Sequence, residues 1–270
     1  MNNLIDPTSF LSNELANGGR CLYMPNGGNL GDNLIARATI QAFQRAGIRW
    51  EFLRGGRESV RAGDIVVYGG GGSLVPLYKG GVDCLRFLSS LNCRVFVLPH
   101  TVRGHEDFWA SAHGFTAFCR DKASLDYLGE FAGVEAIAAH DMATGLDLSA
   151  DPFTAVRNLR AWHVKNETSS TLLAFRGDGE SGSIRAGRSL DVSDLAHPPL
   201  SSVESIYAHA TFFLSVIAAY GAVETDRLHI SIAAGLLGIP TALHDNNYGK
   251  NAAVFEQTLR FKFPTIQLAS

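Results

Sequence analysis

Short apolar runs ending in glycine or a polar pair, each followed by a helical pattern, recur along this chain and constrain its fold more than any other feature. RCLYM (20–24) reads as a strand and leads through a glycine-rich turn into the helical segment LIARATIQAFQRAG, with Gly47 placed to stop it. IRWEFL and DIVVYG are further strands, and the second runs directly into GGGGS. CLRFLSSL reads as a helix and CRVFVLP as a buried strand. FTAFCRD precedes the helix SLDYLGEF, which Asp121 is suited to cap, and VEAIAAHD is one more short strand. This alternation predicts a mostly parallel sheet covered by helices on both faces.

The pattern weakens over residues 146 to 167, the expected crossing between two halves, and restarts at TLLAFRG. A polar stretch over 177–199, GDGESGSIRAGRSLDVSDLAHPP, reads as a long loop of the kind that is often functional. Then come the helix SVESIYAHATFFLSVIAAY, the strand AVET, a helix, the strand IPTALHD, another helix and a final strand. The expected organisation is two α/β units, a larger one over 1–150 and a smaller one over 151–270. A cleft between them is the expected place for a ligand, since the carboxyl ends of parallel strands face outward there.

At 270 residues, 18% charged and 46% hydrophobic, the composition is that of an ordinary globular protein. A net charge of −3 argues against a generic nucleic-acid binder. Cys21, Cys84, Cys93 and Cys119 form no C-x-x-C pair and are expected as buried free thiols in a reduced, cytoplasmic compartment. MNNLIDPTSF lacks the basic and apolar parts of a signal peptide. TFFLSVIAAYGAV falls short of the roughly 20 apolar residues of a membrane span. His105, His113, His163 and His209 lack metal-ligand spacing, so no metal is expected.

Titratable chemistry gathers at both ends of one apolar segment, VETDRLHISIAAGLLGIPTALHDNNYGKN (223–251). Asp226, Arg227 and His229 open it; His244, Asp245, Tyr248 and Lys250 close it. Thr225 or Asp226 is the expected N-cap of a helix of about 12 residues that Gly238 and Pro240 end. The start of that helix presents unpaired N–H groups and positive dipole charge. Joined by a guanidinium and an imidazole, it suits a small phosphate or carboxylate. The alternative is that Arg227 pairs with Asp226 or Glu224 and that His229 is a satisfied buried histidine.

Two glycine-rich turns follow strands. PNGGNLGDNLI (25–35) is neither G-x-G-x-x-G nor a P-loop. Asn29 and Asp32 would cap the next helix; alternatively the turn admits a ligand, and Asp32 orients or deprotonates a hydroxyl. In VVYGGGGSL (66–74) the glycines, Gly71 and Gly72 among them, mean that a ligand or a neighbouring loop comes very close. The next strand ends in Pro99 and His100 rather than in a ribose-binding acid, so NAD is not expected. His100, the Arg120-Asp121 pair and Arg176 each directly follow an apolar strand.

Taken in order, GNLGDNLI, YGGGGSL, LPHTVRG, FCRDKASLDYL and TDRLHISIAAGLLGIPTALHDNNYGKN resemble the motifs of the polysaccharide pyruvyl transferase family over residues 28 to 251. The second half is short for that family, and His100 stands where the family more often has glutamine. The resemblance implies an α/β fold of two Rossmann-like units facing across a cleft, as in the two-domain (GT-B-like) glycosyltransferases. The first unit would take the acceptor and the second the donor. It also implies transfer of a pyruvyl group from phosphoenolpyruvate to two hydroxyls of a sugar, giving a cyclic ketal and free phosphate, with no cofactor. Arg227 would bind phosphoenolpyruvate with Leu228, His229 would be the general acid, and Arg176 the second donor arginine. Tyr248 and Lys250 would complete the donor pocket. Asn29, Asp32, Gly71, Gly72 and His100 would line the acceptor side, with Asp32 or His100 as base. A saccharide acceptor on a lipid carrier would bring the enzyme to the inner membrane face. The competing readings are a glycosyltransferase using a nucleotide-sugar and a non-catalytic sugar- or phosphate-binding protein.

Overall fold

Every strand pairing is parallel among the residues that the computed structural model describes, namely 4–16, 18–91, 93–150, 152–166, 170–182 and 189–269. The chain divides into two units, Met1–Asn26 with Thr39–Met142, and Gly27–Ala38 with Ala143–Ser270. Each unit carries its own sheet.

The first unit runs α1 (Pro7–Leu15), β1 (Cys21–Met24), the later part of α2 (Leu30–Arg45), β2 (Trp50–Phe52), β3 (Ile65–Tyr68) and β4 (Gly71–Leu74). It continues through α3 (Gly80–Ser89), β5 (Arg94–Val102), α4 (Glu106–Ser111), β6 (Phe115–Cys119), α5 (Lys122–Leu128) and β7 (Val134–Ala138). Its sheet has the order β2-β1-β3-β5-β6-β7, with β4 also pairing to β5. Strands β3 and β6 are buried along their whole length, which is why they read as continuous apolar runs rather than alternating ones. Val95, Val97 and Phe115 pack in one cluster with Val82, Leu85 and Leu88 of α3. From α1, the ring of Phe10 meets Phe96 and Phe118 edge-on at 5.8 and 5.7 Å. Asp121 caps α5 as expected, accepting the Ser124 N–H at 2.9 Å.

The second unit adds α6 (Thr154–Lys165), β8 (Thr171–Ala174), α7 (Val203–Ala218), β9 (Ala222–Thr225), α8 (Leu228–Leu236) and β10 (Thr241–Leu243). Then α9 (Lys250–Val254) passes through a π turn into α10 (Arg260–Lys262) and β11 (Ile266–Leu268). The order β11-β10-β9-β8 places sequential strands side by side. Ala174 is level with Thr225, and Thr225 with Leu243. The residues that follow, Arg176, Arg227 and Asp245, therefore all leave the sheet at the same end.

Parallel sheets flanked by helices are what the alternation predicts, with three local differences. The weakly periodic stretch contains α6, in which only Val156 is buried, so little apolar pattern exists to read. The glycine run is not all loop, because Gly71 opens β4. The helix after β9 has nine residues, and its N-cap is Arg227, not Thr225 or Asp226.

Candidate active site

The junction between β9 and α8 is fixed by two short side chains. The Thr225 hydroxyl donates to the Ala174 carbonyl at 2.5 Å and accepts the Arg227 N–H at 2.9 Å. Asp226 accepts the Arg176 N–H at 2.8 Å through one carboxylate oxygen, while its other oxygen is buried with no hydrogen-bond partner among the described residues. Burial raises the Asp226 pKa, and the Arg176 amide and the neighbouring guanidinium charges only partly counter it. Arg227 keeps an extended backbone, and its carbonyl takes the first intrahelical bond, from Ser231. Its side chain therefore leaves before the helix begins, which frees it from the helical spacing that would set it opposite His229.

Arg227 does not pair with Asp226 or Glu224. Its Nε lies 3.1 Å from both oxygens of Asp191, Nη2 also bonds Asp191, and Nη1 reaches Asp178 at 3.2 Å. Arg176 chelates Asp178 through Nε at 2.6 Å and Nη2 at 2.9 Å, and gives Nη1 to Glu180. Lys250 bonds the same Glu180 oxygen, and its ammonium stands 5.5 Å from the centre of the Tyr248 ring. Arg176, Arg227 and Lys250 are all buried. Burial alone would raise the Asp178 pKa; hydrogen bonds and charge from Arg176 and then Arg227 outweigh it and hold the group at about 2. At the other exit, His244 bonds Glu224 at 2.9 Å. Asp245 accepts the backbone N–H groups of Asn246, Asn251 and Ala252 at 2.9 to 3.1 Å, which fixes the loop carrying Lys250.

The turn before α2 meets the head of α8. Asn29 accepts the Gly31 N–H at 2.8 Å and Asp32 accepts the Asn29 N–H at 2.9 Å, a reciprocal cap that matches the expected capping role of both. A Cβ added at Gly31 would lie 2.8 Å from Nδ1 and 2.9 Å from Cβ of His229. Glycine is what lets the imidazole sit against this turn. Gly31→Ala is therefore expected to displace His229, reduce turnover at least tenfold and lower the melting temperature by a few degrees, read by steady-state kinetics and circular dichroism.

In the first unit Gly69 and Gly71 make room for a neighbouring loop. A Cβ at Gly69 would stand 2.5 Å from the Asn26 backbone nitrogen, and one at Gly71 would collide with the Asn26 amide. Asn26 in turn accepts from Tyr68 at 2.8 Å and Ser73 at 3.1 Å. Gly72 lies beside them in β4. His100 is fully buried and stacked on Tyr68 at 5.5 Å, with Nδ1 3.0 Å from the Leu98 carbonyl. Burial pushes its pKa down to about 3. Below pH 6.5 the unfolded chain binds a proton at His100 that the folded protein refuses, so stability falls as pH drops from about 6.5 toward 3. His100→Gln is expected to flatten the pH dependence of the melting temperature between about 6.5 and 4, above the range where Asp178 titrates. Parallel curves for both proteins would refute this.

The model of the polysaccharide pyruvyl transferase family matches residues 29–248, from the Asn29 cap to Tyr248. The chain belongs to that family. It is thus a transferase enzyme, and the family implies a saccharide acceptor. A crystal structure of an uncharacterised protein from Klebsiella pneumoniae subsp. pneumoniae NTUH-K2044 is similar over 100% of both chains, with a TM-score of 0.81 and 26% identity. No curated protein matches. Among the described residues of this family member, no helix is long and apolar enough to cross a membrane, and no group of three His, Cys, Asp or Glu side chains is placed to hold a metal.

In this family member the structure joins Arg227, Arg176 and Lys250 through shared carboxylates, and brings His229 to the turn of Asn29 and Asp32. Leu228 opens α8. His100, Gly71 and Gly72 belong to the first unit. Sequence reasoning missed Asp178, Glu180 and Asp191, which fall within the expected 177–199 loop; residues 183–188 of that loop lie outside the described ones. The only available signal was the presence of acids within a segment that follows a candidate arginine.

Proposed function

We propose that the protein transfers a pyruvyl group from phosphoenolpyruvate to two hydroxyls of a sugar in a polysaccharide or its precursor, forming a cyclic ketal and releasing phosphate. One observation carries the reading. At the head of α8 a buried guanidinium, the N-terminal amides of the helix and an imidazole seated against Gly31 come together in a chain of this family. Phosphoenolpyruvate carries a carboxylate and a phosphate, and Arg227 and Arg176 are two cations for them, with the first amides of α8 as further donors.

The reaction needs a proton at C3 of the enol before C2 becomes electrophilic. His229 supplies it as the general acid. One sugar hydroxyl then attacks C2, phosphate leaves against the arginines, and the second hydroxyl closes the ketal. Two hydroxyl protons are given up: one replaces the proton that His229 gave to C3 and the other leaves on the phosphate, with Asp32, beside Gly31, assigned as the base that takes each from its hydroxyl. His100 is a poor base at neutral pH because burial holds its pKa at about 3. The test is incubation with phosphoenolpyruvate and a panel of galactosyl, mannosyl and glucosyl acceptors, following phosphate release and acceptor mass. Acceptor-dependent phosphate and a pyruvylated product are expected. Extension by a nucleotide-sugar, with no use of phosphoenolpyruvate, would replace this reading by a glycosyltransferase.

A further inference from the structure

Among the described residues, the side chains of three cations, Arg176, Arg227 and Lys250, are ion-paired with three carboxylates, Asp178, Glu180 and Asp191. Nε, Nη1 and Nη2 of both arginines are all engaged by these acids. An anionic donor cannot make a charge-assisted bond to either guanidinium along these directions until a carboxylate leaves.

The three acids are not equivalent. The Glu180 side chain is 2% exposed and is shared between Arg176 and Lys250, with Asn246 also within 3.5 Å. Removing it would leave two buried cations without their shared counter-ion, so it is a fixed part of the fold. Asp178 and Asp191 have side chains 40% and 18% exposed, and water can take them up when they rotate away. They also sit at two distinct places. Asp178 bridges the arginines, its Oδ2 lying 2.9 Å from Arg176 Nη2 and 3.2 Å from Arg227 Nη1. Asp191 covers the Nε and Nη2 edge of Arg227.

We propose that the carboxylates of Asp178 and Asp191 are internal surrogates occupying two anion subsites, and that the donor's carboxylate and phosphate bind by displacing them. This rests on the pyruvyl-donor reading above. It explains how arginines already paired with carboxylates serve a donor of two or more negative charges: each displaced aspartate returns one positive charge to the site. It also favours an anion with two arms, because a single anionic group regains only one subsite.

Asp178→Asn and Asp191→Asn keep the shape and remove the competing charge. Titration calorimetry with phosphoenolpyruvate and, separately, with inorganic phosphate is the readout, with thermal melts confirming folded protein. Each variant is expected to bind both anions about three- to tenfold more tightly than the unsubstituted protein, the gain typical of relieving one charged hydrogen bond. Unchanged or weaker binding of both anions in folded variants would overturn the proposal and make the two acids positioning groups for the arginines. Arg227→Ala separates this failure from failure of the donor reading. If phosphoenolpyruvate binds the unsubstituted protein and Arg227→Ala equally, the donor reading fails, and the phosphate titration still decides whether the aspartates compete with anions.

Discussion

Replacing Arg227 with alanine is expected to lower kcat/KM for phosphoenolpyruvate by about thirty- to several-thousandfold, in a protein that still folds. The guanidinium is buried, stands at the positive end of α8 and has a fork geometry that fits a carboxylate or phosphate. Loss of such a charged contact costs about 2 to 5 kcal/mol, which sets the range. Folding survives because the partners left behind, Asp191 and Asp178, are partly exposed and can be hydrated. Arg227→Lys is expected to recover little, since an ammonium cannot span the two directions that Asp191 and Asp178 occupy. Activity within threefold of the unsubstituted enzyme in either variant would remove Arg227 from the donor site.

His229→Gln is expected to act on a different constant. Loss of a general acid typically costs about 10²- to 10⁴-fold in rate, and here the loss should fall on kcat, with KM for phosphoenolpyruvate little changed. Glutamine is polar and of similar reach but cannot deliver a proton to C3. Steady-state kinetics with saturating acceptor separates the outcomes. A raised KM with unaltered kcat would make His229 a binding residue only.

Much of the fold was legible because burial writes directly into local pattern. DIVVYG and FTAFCRD sit between two helical layers and carry unbroken apolar runs, so their parallel neighbours could be anticipated. Asp121 announced its helix because capping is a local event. Helix α6 was not legible, since a helix with one buried side chain leaves no stripe. Helix α1 begins with Asp6 accepting the Thr8 and Ser9 N–H groups, a local cap followed by a helix with few buried side chains and so little apolar stripe.

In the site, Arg227 and His229 stood out through their place at a helix start. What they touch did not, because those contacts are long-range. Gly31 meets His229 across most of the chain, and Asp191 reaches Arg227 from a segment whose sequence shows only a polar loop. The glycine run beside β3 illustrates the same limit. Four glycines demanded a close neighbour, but only the structure shows that the neighbour is the loop of Asn26.

The central claim is that C3 of phosphoenolpyruvate is protonated and its pyruvyl carbon joined to a sugar as phosphate departs. Mass spectrometry of the acceptor after reaction with phosphoenolpyruvate in D2O tests it most directly. The predicted product is an acceptor carrying a pyruvyl ketal with one deuterium in its methyl group, formed alongside an equal amount of phosphate. An unmodified acceptor across the panel with no phosphate release, or a ketal methyl without deuterium, would contradict the account.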